Sequence, residues 1–146
     1  MSMTEIDLPD QIATEALAIR MAALSKPGDV IALHGEMGMG KSVFARAFLR
    51  ALAQDQALEV PSPTFSLVQL YDTPKGAVAH FDLWRLDGPD GLFELGWDEV
   101  QESIMLVEWP ERAGDELPAH ALHLTLTQGT GDDSRKARLE GWSDRL

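Results

Sequence analysis

The chain has no cysteine and no asparagine among its 146 residues. Without cysteine there is no disulfide framework, thiol nucleophile or zinc-thiolate site, and a reducing compartment is allowed. Without asparagine, the Asn-Lys-x-Asp segment by which GTPases normally read guanine is ruled out, and no Asp-x-x-Gly occurs either. Long apolar runs are also missing. None exceeds four residues, and Met1 to Leu8 lacks the basic and apolar regions of a signal peptide, so neither membrane insertion nor secretion is expected. Basic residues are scarce: 12 Lys and Arg face 24 Asp and Glu, for a net charge of -12. Because polyanion affinity rests on Lys and Arg neutralising phosphates, independent capture of nucleic acid is disfavoured. Any RNA role would need a partner, and the cytoplasm is the expected location.

What is present is enough apolar material, 45% of the side chains, for one compact domain over residues 1–146. From Asp7 to Ser25 the spacing predicts an amphipathic helix, with Pro9 in its first turn and Ile12, Ala16, Ile19, Ala23 and Leu24 as its apolar set. Lys26 to Asp29 ends it. Val30 to Leu33 reads as a strand covered on both faces. A glycine loop follows at once, and then Val43, Phe44, Ala47, Phe48, Ala51 and Leu52 recur at helical spacing. Pro61 and Pro63 make Val60 to Thr64 an extended loop. Phe65 to Tyr71 and Ala77 to Asp82 read as a hairpin, Asp87 to Gln101 as a loop with a short helix, and Ile104 to Glu108 as a buried strand. His120 to Thr127 and Lys136 to Trp142 are expected to pair across the turn at Gly129 to Ser134.

Gly35-Glu36-Met37-Gly38-Met39-Gly40-Lys41-Ser42 fits Gly, four residues, then Gly-Lys-Ser/Thr, and it stands between a predicted strand and a predicted helix as that motif requires. Glycines permit positive φ and bare backbone, so successive N–H groups can face phosphate oxygens while the helix presents its positive end. The expected contacts to a nucleotide come from Glu36, Met37, Gly38, Met39, Gly40, Lys41, Ser42 and Val43. Lys41 supplies a mobile cation to the β and γ phosphates and Ser42 a hydroxyl for Mg²⁺. Lys41 is expected on a solvent-facing loop, and the side chains of Met37 and Met39 are expected to pack.

A magnesium shell also needs a carboxylate at the carboxyl end of a neighbouring strand. Asp82 and Glu108 both qualify; which of them meets the metal shell and which positions the attacking water stays open. Thr64, on the Ser62-Pro63-Thr64-Phe65 loop, is a further candidate for Mg²⁺ or the γ-phosphate in the manner of a switch segment. Trp109 is a candidate to stack on the base. His80 stands two residues from Asp82 while His34, His120 and His123 stand alone, and all four are read as structural or surface residues because they lack metal-site spacing.

Gly35 to Ser42, Ser62 to Phe65, His80-Phe81-Asp82-Leu83-Trp84-Arg85-Leu86 and Val107-Glu108-Trp109-Pro110-Glu111 together resemble the bacterial TsaE family, over roughly Asp7 to Glu111. The resemblance implies an α/β, single-domain P-loop NTPase fold, with a mixed but mostly parallel central sheet flanked by helices. It also implies a weak ATPase with ATP and Mg²⁺ as cofactors, required to make threonylcarbamoyladenosine in tRNA. On that likeness Lys41 and Ser42 bind phosphate and magnesium, Thr64 belongs to a switch-like loop, Asp82 and Glu108 are functional carboxylates, and Trp109 lies at the nucleotide. The implied partners are the TsaB and TsaD proteins, with tRNA reached only through them. The family usually has Ala at Met39, Thr at Ser42 and Val43, and Tyr at Trp84; Ser42 keeps the hydroxyl, whereas the bulk of Met39 bears on access to the γ-phosphate. After about Ala119 no residue is diagnostic. A small-molecule kinase, which would need an arginine-rich lid, and a nucleotide-gated subunit without fast turnover are the alternatives.

Overall fold

The computed structural model describes residues 3–63 and 66–146. Within them a single sheet has seven strands: β1 (Met3–Leu8), β2 (Val30–His34), β3 (Val68–Thr73), β4 (Gly76–Asp82), β5 (Ile104–Glu108), β6 (Leu122–Gln128) and β7 (Arg135–Glu140), in the order β1-β7-β6-β2-β5-β4-β3. The centre, β6-β2-β5-β4, is parallel, and the pairings β1–β7, β6–β7 and β3–β4 are antiparallel. The sheet is mixed, as expected, but only half of its pairings are parallel, so "mostly parallel" overstates it. Two of the antiparallel pairings, β3–β4 and β6–β7, are hairpins, where a short turn can only return the chain antiparallel; the third brings β1 onto the edge beside β7.

Two α-helices, α1 (Gln11–Leu24) and α2 (Lys41–Ala53), cover one face. The expectation of helices flanking the sheet holds for that face alone. The other is covered by 3-10 segments at Pro89–Leu95 and Pro110–Glu116 with the loops around them, which bury Leu86, Leu92, Trp97 and Ala113 against Phe81, Met105 and Val107. Gly88, Gly91, Gly96 and Gly114 punctuate that half of the chain and keep it from forming a longer helix.

Alternation along the strands decides what each face receives. Ile31, Leu33, Val78, Ile104 and Leu106 pack under α1 and α2 among Phe44, Phe48 and Leu49. Continuing the same parity, His80, Asp82 and Glu108 fall on the helix face at the carboxyl ends of β4 and β5. All three are buried, at 2%, 6% and 7% exposed.

Three sequence expectations need correction here. The helix does not begin at Asp7: Asp7 and Leu8 belong to β1, which pairs with β7, Asp10 caps α1 by accepting from the Ala13 N–H, and Pro9 precedes the helix. The apolar face of α1 is also not the one expected. Leu17, Ala18, Met21 and Ala22 are buried, while Ile12 and Ile19 are 72% and 50% exposed. Apolar residues surround most of this helix, so periodicity alone does not choose the side. Finally, β3 begins at Val68, not at position 65. The remaining strand and helix assignments lie within about three residues of those expected.

Candidate functional site

The chain leaves β2 at His34 and enters α2 at Lys41 through Gly35, Gly38 and Gly40, all at positive φ (151°, 87° and 99°). A Cβ on Gly35 would meet the Leu126 carbonyl oxygen at 3.0 Å and the Lys41 side chain at 3.6 Å, so this turn has no room for a larger residue. Unlike α1, α2 has no side chain among the described residues bonded at its N-terminus; its N-cap is Gly40. The first N–H groups of a helix have no partner within the helix, and together with the helix dipole they favour an anion there. Arg135 on β7 donates to the Gly38 carbonyl at 3.2 Å, tying the loop to the far half of the sheet.

Asp82 and Glu108 are register partners across the parallel β4–β5 pair, and Glu108 is also the partner of Leu33 at the end of β2. The two carboxylates thus stand side by side below the loop. Burial, then repulsion from Glu108, pushes the Asp82 carboxyl above the usual carboxylate range against the opposing pull of the Trp84 N–H, His80 and Lys41. Two buried acids at adjacent positions suit a cation shared with phosphate oxygens. The oxygen donors here, two carboxylates and the Ser42 hydroxyl on one cavity, are of the kind that Mg²⁺ takes, an ion that usually uses one or two carboxylates and completes its shell with water and phosphate.

The site's residues enclose one cavity of about 400 Å³, lined by Met37, Gly38, Gly40, Lys41, Ser42, Val43, Ser62, Asp82, Glu108 and Trp109. Glu36 and Met39 are turned from it and border a second hollow on the other side of Trp109. Met39 packs against the core, as expected of its side chain. Met37 does not: it is 80% exposed. The expectation of a solvent-facing Lys41 also fails. It is the first residue of α2 and only 8% exposed, because its ammonium lies 4.1 Å from the centre of the Trp109 ring. Trp109 reaches it by a left-handed turn (φ 55°) directly after Glu108. Thr64 lies outside the described residues, although Ser62 of the same loop lines the cavity.

Two histidine relationships went unseen in the sequence. His80 Nε2 and Glu108 Oε2 are 2.6 Å apart and buried, a contact signalled by the two-residue step that puts His80 and Asp82 on one face. His34 and His123 do not stand alone; their rings stack, with His34 Nε2 and His123 Nδ1 2.9 Å apart. Nothing in the sequence pairs residues 89 apart. Arg135 gave no signal either.

Strand, glycine loop and helix at the carboxyl edge of a parallel sheet centre, with two acids on the neighbouring strands, make this an α/β protein built on one mixed seven-stranded sheet. A family model described as "Threonylcarbamoyl adenosine biosynthesis protein TsaE" matches residues 8–137, and the chain belongs to the TsaE family. Two relatives named tRNA threonylcarbamoyladenosine biosynthesis protein TsaE show the likeness. That of Aquifex aeolicus is 40% identical over 110 residues, covering 75% of this chain and 79% of the relative. That of Rickettsia felis is 35% identical over 105 residues, covering 71% of this chain and 61% of the relative, so the match spans less than two thirds of that protein. The crystal structure of YdiB from Bacillus subtilis is similar throughout, with a TM-score of 0.75 at 27% identity over 99% of this chain and 88% of that one. No helix among the described residues is long and apolar enough to cross a membrane.

Proposed function

We propose that this chain binds ATP with Mg²⁺ at Gly35–Ser42 and hydrolyses it as a subunit of the machinery that makes threonylcarbamoyladenosine in tRNA, acting on the TsaB–TsaD pair. The observation that carries the reading is the convergence of Lys41, Ser42, Asp82 and Glu108 on one cavity. In this reading the loop N–H groups and Lys41 hold the β and γ phosphates, and the Ser42 hydroxyl with a carboxylate holds the cation's shell. The cation, when bound, neutralises charge on the phosphates; the other carboxylate orients the attacking water. In keeping with the family resemblance, hydrolysis by the isolated chain is slow in this reading, and docking on the partners accelerates it. The net charge of -12 leaves tRNA contact to those partners.

Phosphate release from Mg²⁺ and ATP, measured for the chain alone and with TsaB and TsaD, tests the reading. Association and stimulation support it; absence of both, at low and high salt, overturns the partnership. A small-molecule kinase is less well supported, since no arginine lines this cavity among the described residues. Nucleotide-dependent association without phosphate release would instead support a gated subunit with negligible turnover.

A further inference from the structure

We infer that His80 is a positioning residue for Glu108: its Nε2–H donates to Glu108 Oε2 and fixes the carboxylate in the orientation that its role in the cavity needs. The proposal rests on the reading of Glu108 as a working carboxylate of the nucleotide site.

The geometry is specific. Nε2 and Oε2 are 2.6 Å apart, with the histidine 2% and the glutamate 7% exposed. His80 sits one strand over and two residues before Asp82, beside Leu106 in register. Its ring therefore reaches Glu108 diagonally, from the strand that carries the other acid. It is not among the residues lining the cavity, so it stands behind the carboxylate instead of meeting a ligand. Glu108 itself does line the cavity.

The position is a costly one for an imidazole. On this face of β4 and β5 its neighbours in parity are Val78, Ile104 and Leu106, all fully buried, and an aliphatic side chain would satisfy the packing. The histidine also leaves Nδ1 buried with no partner among the described residues, and an unsatisfied buried polar atom is destabilising. A residue that is locally unfavourable yet held against a functional acid is acting through that acid. Since a carboxylate only accepts, contact at this distance requires the proton on Nε2.

The test uses the full chain with its proposed partners and three variants: His80→Leu, His80→Gln and Glu108→Gln. His80→Leu should lower kcat for ATP hydrolysis on the order of ten- to a hundredfold, the usual cost of removing an outer partner of an active-site ligand. KM should stay within about twofold, because His80 does not line the cavity. His80→Gln, which retains an N–H donor, should recover a large part of the rate. It also decides the matter if His80→Leu fails to fold. Combining His80→Leu with Glu108→Gln should cost no more than Glu108→Gln alone. An independent readout is ¹⁵N NMR of the imidazole without nucleotide, which should show a protonated, slowly exchanging Nε2. An unprotonated Nε2, a normal kcat in His80→Leu, or additive losses in the double variant would overturn the proposal while leaving Glu108 in place. A normal rate in Glu108→Gln would overturn the reading of Glu108 itself, and this proposal with it.

Discussion

The Lys41 ammonium and the Trp109 ring form a single contact of 4.1 Å, linking the first residue of α2 to the residue that follows β5. The indole faces the cation of the loop, and so stands at the phosphate end of the proposed site. An ammonium over an indole face is worth about 0.5–2 kcal/mol, which binding of a polyphosphate can exchange for stronger charge-assisted bonds. Nucleotide addition is therefore expected to change tryptophan emission, and Trp109→Phe to remove most of that change. A full signal in Trp109→Phe would transfer the effect to Trp84, Trp97 or Trp142.

Lys41→Gln keeps most of the side chain's volume beneath Trp109 while removing its charge. With charged hydrogen bonds worth about 1.5–3 kcal/mol, ATP affinity should fall by roughly ten- to a hundredfold, with an unchanged far-UV CD spectrum. Titration calorimetry provides the check; undiminished affinity in the folded variant would remove Lys41 from phosphate binding.

Much of this arrangement is legible in the sequence because local rules specify it. The glycine loop announces both its neighbours, and the four-residue run before Glu108 announces a buried strand with an acid at its end. Pairing across the sheet is another matter. Asp82 and Glu108 are separately conspicuous, but their adjacency depends on β4 and β5 being register partners, a tertiary fact. The same holds for Trp109, whose left-handed backbone turns its ring onto Lys41. Helix α1 fails for a different reason: with Ala, Leu, Ile and Met on most sides, its buried face is chosen by the sheet beneath it.

Asp82 is expected to oppose folding at neutral pH. Burial first, and then Glu108, raise its folded carboxyl above the ordinary value, so over that interval the native state binds the proton more tightly than the unfolded chain. Stability attributable to this group is present below the ordinary aspartate value, about 3.9, and is lost as pH rises through the raised one. Asp82→Asn should gain stability over the parent at pH 7 and lose that advantage near pH 3 in denaturant titrations, while its ATP hydrolysis falls. An equal stability difference at both pH values would contradict the assignment.

The His34–His123 pair should act in the opposite sense on the acid side. Burial, followed by His123, lowers the His34 value, with Lys41 adding to the effect and Glu111 and Glu140 resisting it. A base with a lowered folded value loses stability as pH falls below its ordinary value, about 6.5. His34→Gln should flatten the loss of thermal stability between pH 6.5 and 5, and an unaltered pH profile would count against the coupling.

Arg145 fastens the chain's last residues to the start of β2. Its guanidinium donates to both oxygens of Asp29, at 2.6 and 3.0 Å, and to the Leu24 carbonyl at 3.3 Å, and lies 4.3 Å from the centre of the Trp142 ring. Burial works to raise the Asp29 carboxyl, but hydrogen bonds from Arg145 and the Lys26 N–H, with their charges, outweigh it and hold the group below its ordinary value. The folded carboxyl then binds protons less tightly than the unfolded one. Its stabilisation is present above about pH 3.9 and is lost as pH falls through the lowered folded value. A bidentate charged pair that is largely sheltered should leave a considerable penalty when one side is removed, and Arg145→Leu is expected to cost about 2 kcal/mol at pH 7. The cost should shrink toward pH 2, as acid protonates Asp29 and removes the charge that Arg145 pairs with. Urea titrations of the parent and Arg145→Leu at the two pH values measure this directly. Because Asp29 immediately precedes β2, whose other end feeds the glycine loop, amide exchange along Val30–His34 should quicken in the variant; unchanged protection there would confine the clamp to the chain's end.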